Sequence, residues 1–274
     1  MKLLIACDME GISGVTTWDQ VTPSHAEYAR FRKIMTDDVN AAIAGAAEAG
    51  ATDIQVSDGH WNSGNVMIEG LDARARINTG SPSPYSMVQG VDTGIDAAIF
   101  VGYHAMIGTP HAILDHTWSS ARIDNLWLNG RLTGEFGLNA AMCGHFGAPV
   151  LMVTGDQSVC AEAKTFVPEV EGVEVKRAAA RMNALCLPPV EAQKLIKAGA
   201  KKVVADFIKG KKPQPLSLST PITVTIEFFT TIMADSAELL PGSKRLDGRR
   251  VEFVARDMPE AYRAFRTMVN MVSV

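Results

Sequence analysis

Short apolar runs and longer amphipathic stretches alternate along this chain. Lys2 to Cys7 is nearly all apolar and partly β-branched, the pattern of a strand buried on both faces of a parallel sheet. Further strands are predicted at Asp53–Val56, Asp96–Val101, Val150–Val153, Val173–Arg177, Ile222–Phe228 and Arg250–Ala255, with a short one at Arg76–Asn78. Ser24-His25-Ala26-Glu27 has the form of a capping box and predicts a long helix ending near Gly50. Other helices are predicted from Glu135 to Gly144 or Gly147, from about Ser158, from Pro189 to Lys209 and from Pro259 to Met271. Asn129-Gly130, between Leu126-Trp127-Leu128 and Arg131-Leu132-Thr133, is a hairpin signal. The segment 61–95 is otherwise weakly patterned, and Lys211-Lys212-Pro213-Gln214-Pro215 is the best linker by composition. The alternation predicts a three-layer α/β/α fold with a mostly parallel sheet, plus a smaller C-terminal α/β subdomain. A division into residues 1–156 and residues 157–274 is expected.

With 274 residues, 47% of them hydrophobic and 20% charged, the chain can bury a large core as an ordinary globular protein. A formal net charge of -4 gives no electrostatic reason to expect nucleic acid. No apolar run approaches the roughly 18 residues of a membrane span. The strand-like start lacks the basic and apolar regions of a signal peptide. Cys7, Cys143, Cys160 and Cys186 form no CxxC pair, so reduced, buried thiols in a cytoplasmic protein are expected.

Chemistry gathers where the predicted strands end. The first strand runs into Asp8-Met9-Glu10-Gly11, the second into Asp58-Gly59-His60, the third into Gly102-Tyr103-His104. Strands of one parallel sheet end on the same edge, where ligands of open α/β sheets collect, so these side chains should converge. Two carboxylates placed there lose solvation and repel each other, which calls for a cation. Mixed imidazole and carboxylate donors suit Zn, Mn, Fe or Co better than Mg or Ca. In an extended D-x-E segment Asp8 and Glu10 lie on one side, where one carboxylate can bridge two ions. Asp58 reads as a turn or supporting residue. Glu135, at a helix start, is satisfied by the macrodipole alone. His25 and His145 read as structural, whereas His111 and His116, in a polar stretch after the third strand, are both candidate acid–base groups. Pattern does not choose between them. No GxGxxG, Walker loop, G-x-S-x-G elbow or H-E-x-x-H is present.

Asp8-Met9-Glu10-Gly11, Asp58-Gly59-His60, Gly102-Tyr103-His104-Ala105 and Gly134-Glu135-Phe136-Gly137-Leu138-Asn139-Ala140, in that order, resemble the dinuclear zinc D-aminopeptidases. The likeness runs the length of the chain, through Ser86-Met87-Val88-Gln89-Gly90 to Leu240-Pro241-Gly242. It implies that Asp8 bridges two zinc ions (Mn or Co being possible), with Glu10 and His60 completing one site and His104 and Glu135 the other. It also implies a catalytic histidine matching His116, with residues 1–156 as the metal-binding catalytic region and residues 157–274 packing on the site and on an oligomer interface. Ala6 stands where the family has Ser, and the interval from His104 to His116 is one residue longer than usual, which keeps His111 a rival. The implied activity is hydrolysis of short peptides with an N-terminal D-residue by a hydroxide held between two ions, in a self-compartmentalising homodecamer. Two other readings start from the same residues: a haloacid-dehalogenase-like phosphatase with Asp8 as nucleophile, and a non-catalytic dipeptide-binding protein.

Overall fold

A computed structural model describes residues 1–273. Its first half contains β1 (Lys2–Cys7), α1 (Tyr28–Glu48), β2 (Asp53–Asp58), β3 (Ala75–Asn78), β4 (Ala97–Val101), β5 (Ile123–Leu128), β6 (Arg131–Leu132), α2 (Glu135–His145) and β7 (Val150–Asp156). The second half contains α3 (Gln157–Phe166), β8 (Glu171–Ala180), β9 (Asn183–Cys186), α4 (Pro189–Ile208), β10 (Ile222–Phe228), α5 (Thr231–Ala237), β11 (Ser243–Arg245), β12 (Arg250–Ala255) and α6 (Met258–Met271).

The strands form a seven-stranded sheet in the order β3-β2-β1-β4-β7-β8-β9 and a five-stranded sheet in the order β11-β12-β10-β5-β6. The larger sheet is parallel up to β8, and only β9 runs antiparallel to its neighbour. Leu3, Ile5 and Cys7 of β1 pack with α1 and α4 on one face, while Leu4 and Ala6 face α2, α3 and the second sheet. Burial on both faces is why these strands read as unbroken apolar runs. From β1 the chain goes outward to β2 and β3, then returns to the other side of β1 for β4, β7 and β8. The reversal between β1 and β4 is a topological switch point, where the loops leaving adjacent strands diverge and open a crevice.

The second sheet is antiparallel and packs with α5 and α6. Asn129 and Gly130 both take positive φ, and so make the tight turn between β5 and β6. Both sheets draw strands from either side of Asp156: β7 pairs with β8, and β5 and β6 join β10 to β12. The expected division there thus falls inside a continuous hydrogen-bonded structure.

One local expectation is corrected. Helix α1 begins at Tyr28, not at Ser24; the Ser24 hydroxyl caps nothing, and Glu27 precedes the helix in helical conformation. The neighbouring side chains are used elsewhere, His25 against Asp19 at 3.1 Å and Glu27 against Arg30. Residues 211–215 carry no helix or strand and join α4 to β10 of the second sheet, with Leu216 and Leu218 just beyond them packed on the core. Strands β9 and β11 and helix α5 had no clear pattern; they are short and half-exposed, with little periodicity to read. Among the described residues no helix is long and apolar enough to cross a membrane.

Candidate metal centre

Asp8 follows β1 directly, its N–H donating to the Val101 carbonyl at 2.9 Å so that it still lies in the plane of the sheet. Glu10 is two residues on, and Gly11 N–H donates to the Gly102 carbonyl at 2.8 Å, tying this loop to the end of β4 just before His104. His60 leaves β2 through Gly59, whose N–H bonds the Cys7 carbonyl at 2.9 Å. Glu135 is the first residue of α2. His116 lies in the long loop between β4 and β5. All six side chains are buried.

Their donor atoms converge. His60 Nδ1 is 3.1 Å from Asp8 Oδ1 and 3.2 Å from Glu10 Oε2. His104 Nε2 is 3.4 Å from the other Asp8 oxygen, Oδ2, and 3.2 Å from Glu135 Oε1. Asp8 therefore turns one oxygen to each imidazole. His116 Nε2 spans the two groups, 3.9 Å from Glu10 Oε1 and 3.8 Å from Glu135 Oε1, and its ring stacks on His104 with centroids 3.9 Å apart. Two sets have ligand atoms mutually within 4.8 Å: Asp8, Glu10 and His60, and His104, His116 and Glu135.

Each imidazole has its outer nitrogen engaged. His60 Nε2–H donates to the Val21 carbonyl at 2.7 Å, His104 Nδ1–H to Ala105 at 3.1 Å, and His116 Nδ1–H to Leu114 at 2.8 Å. A carbonyl can only accept, so these contacts fix the protonated nitrogen and aim the other one inward, the arrangement that orients metal-binding histidines.

A cation fits this donor set on two counts. Glu10 Oε2 and His104 Nε2 are buried with no hydrogen-bond partner despite the close approaches above. His60 Nδ1 lies within hydrogen-bond distance of Asp8 Oδ1, and the two buried atoms left unpaired beside that contact are disposed as ligands of a shared ion. The second count is charge. Burial alone would raise Asp8 and Glu10, yet neighbouring imidazoles hold both below the ordinary carboxylate range. Conversely, burial alone would lower His60 and His104, yet Glu10 and Asp8 around one, and Glu135 and Asp8 around the other, raise both well above the ordinary imidazole value. The site demands positive charge, which protons on the imidazoles or bound cations can meet. His116 is the exception, lowered by burial and by His104.

All five expected ligands and His116 are brought together. His111 is not: it is exposed, and its Nδ1–H donates to Ala179 at 2.7 Å. Glu135 stays in the first turn of α2, where the macrodipole favours it, and its Oε1 also accepts from Trp118 N–H at 2.6 Å and lies 3.2 Å from His104 Nε2. Asp58 supports the site, accepting from the N–H groups of Asn65 and Val66 and so shaping the loop after His60.

Three supporting residues gave no sequence signal. Arg181, in the β8–β9 turn, binds Asp115 Oδ1 at 2.7 Å and the Asp115 carbonyl at 2.9 Å, bracing the loop of His116. Glu162 of α3 accepts from Met106 N–H at 2.7 Å, and burial pushes its carboxyl up to about 7. Lys176 of β8 is buried, and burial brings its ammonium down to about 8.

A family model described as D-aminopeptidase matches residues 1–267. The chain belongs to the D-aminopeptidase family. It is 36% identical to a D-aminopeptidase of Bacillus subtilis (strain 168) over 272 residues, covering 99% of this chain and 97% of that protein. A solved structure, a Zn-dependent D-aminopeptidase from Bacillus subtilis described as a self-compartmentalizing protease, superposes with a TM-score of 0.94 at 35% identity. That alignment covers 99% of this chain and 97% of the other. Family membership thus agrees with the α/β architecture and with a buried cluster of metal-ligand type.

Proposed function

We propose that this D-aminopeptidase-family chain is a zinc-dependent enzyme that removes an N-terminal D-residue, of D-alanyl type, from short peptides. The observation that carries the proposal is Asp8, whose two oxygens face two separate imidazole–carboxylate groups. Asp8 would bridge two zinc ions, Glu10 and His60 completing one site and His104 and Glu135 the other, with Mn or Co as substitutes. When bound, such ions supply a Lewis acid for the scissile carbonyl and lower the pKa of water toward neutrality.

The chain's own residues do the remaining work. With Nδ1–H committed to Leu114, His116 presents Nε2 between Glu10 and Glu135, placed to take a proton and return it to the leaving nitrogen. Trp18 packs edge-on against His116 with ring centroids 5.5 Å apart, limiting its motion and excluding water. The phosphatase alternative needs Asp8 to keep a free oxygen for attack, whereas both of its oxygens face histidines.

The Zn-dependent relative is described as self-compartmentalizing. A ring assembly of this chain, a homodecamer, would enclose the sites and restrict substrates to short peptides. Exposed Trp61, Leu185, Ile232 and Leu239 offer apolar surface for such contacts. Four unpaired cysteines fit a reducing cytoplasm.

The test is a panel of D-Ala-D-Ala, L-Ala-L-Ala and D-alanyl p-nitroanilide, with elemental analysis of the protein. Cleavage of the D-substrates, lost on chelation and restored by zinc, is expected. Undiminished activity after chelation, or return of the D-dipeptide intact, would overturn the proposal.

A further inference from the structure

Lys176 lies on β8, three strands from β1 in the sheet and far from it in sequence, yet its side chain reaches the loop that carries Glu10. It is buried, at 2% exposure. Its Nζ donates to the carbonyls of Glu10 at 2.6 Å, Ile12 at 3.0 Å and Val15 at 2.8 Å. An ammonium has three N–H groups, so all are spent on backbone oxygens of this one loop.

The strand pattern explains how a lysine comes to lie inside. The pairing of β7 with β8 shifts register between Gly155 and Asp156, bringing Lys176 opposite Asp156. Val175 and Lys176 are then both buried, where strict alternation would expose one of them. Burying a cation is costly unless it is fully hydrogen-bonded, and three carbonyls aimed at one ammonium meet that need.

From this geometry we infer that Lys176 is a positioning residue for Glu10, holding the 10–15 loop so that the Glu10 carboxylate stays facing His60. The inference rests on the zinc reading above. Lys176 touches no reacting atom; it acts through the Glu10 backbone. The other ligands are held differently: Asp8 by the sheet, His60 through Gly59 and Val21, Glu135 at the start of α2. Loss of Lys176 should therefore weaken the Glu10–His60 site and spare the His104–Glu135 site.

The experiment is zinc titration of metal-free wild type and Lys176→Met against a chromophoric chelator, with circular dichroism as a check on folding. Wild type is expected to bind two ions. In Lys176→Met one ion should weaken by about 10- to 100-fold, the loss typical when a ligand's support is removed, with the other unchanged. Should Lys176→Met not fold, Lys176→Gln, which keeps two of the donors, takes its place with the same selective loss expected. Two ions bound as tightly as in wild type would overturn the Lys176 assignment alone, as would equal weakening of both. Wild type that binds no zinc would overturn the zinc reading, and this inference with it.

Discussion

Gly11 is where the loop carrying Glu10 passes closest to the segment carrying His104. A Cβ placed on Gly11 would lie 1.9 Å from the Tyr103 carbonyl oxygen, 2.5 Å from the Gly102 carbonyl carbon and 2.6 Å from its oxygen. Real Cβ contacts essentially never fall under 3.0 Å, and every atom met is backbone, so no side-chain rotation relieves the clash. Gly11→Ala must part the two segments by at least about 1 Å, weakening the Gly11–Gly102 hydrogen bond that ties them. Glu10 immediately precedes the clash and His104 immediately follows it, so ligands of both groups are displaced from each other. Overpacking of this kind costs about 1–3 kcal/mol of stability. A misplacement of about 1 Å in a preorganised site can cost about 100-fold in rate. The expected outcome is a folded protein with kcat on D-alanyl p-nitroanilide down about 100-fold and less zinc per chain. It is checked by steady-state kinetics, elemental analysis and urea unfolding. Unchanged kcat and zinc content in soluble Gly11→Ala would refute the steric reasoning.

Replacing His116 by Ala should lower kcat by about 10²- to 10⁴-fold with zinc retained, whereas His111→Ala should keep wild-type kcat; parallel kinetics and metal analysis decide. Burial pushes the Asp38 carboxyl from 3.8 up to about 6 despite hydrogen bonds from Ser13 and Gln193. Between about pH 4 and pH 6 the folded protein holds a proton the unfolded chain has released, so this group's contribution to stability falls as pH rises, by up to about 3 kcal/mol. Asp38→Asn should remove that fall; unfolding curves that stay parallel to wild type across the window would contradict it. Arg181→Met should release Asp115 and lower kcat about 10-fold with KM and zinc content unchanged, and added guanidinium should restore part of the loss. Failure of guanidinium to restore activity would count against the bracing role.

The parallel strands and their end-of-strand chemistry were legible because each strand is buried on both faces and so reads as an apolar run. The first polar residue after such a run marks the sheet edge, which is why Asp8, His60 and His104 could be grouped despite their separation in sequence. Glu135 was different. Its position on a helix start has a sufficient local explanation, and only the family resemblance pointed to a ligand role before the contact with His104 was seen. The Ser24 capping box misled because its Glu27 pairs with Arg30 instead of reaching back to Ser24, and the helix starts one turn later at Tyr28.

By itself, then, the sequence determined the layered α/β fold, the edge of the sheet that carries chemistry, and the residue types able to hold a cation. Tertiary structure alone decided how they act together. It set which oxygen of Asp8 meets which imidazole, separated His116 from His111, and put Lys176 and Arg181 behind the site loops. The physical reason is range. Burial patterns and turns are encoded by neighbours a few residues apart, whereas the bonds from Lys176 to Glu10 and from Arg181 to Asp115 join residues 166 and 66 positions apart, across strands whose order periodicity does not specify.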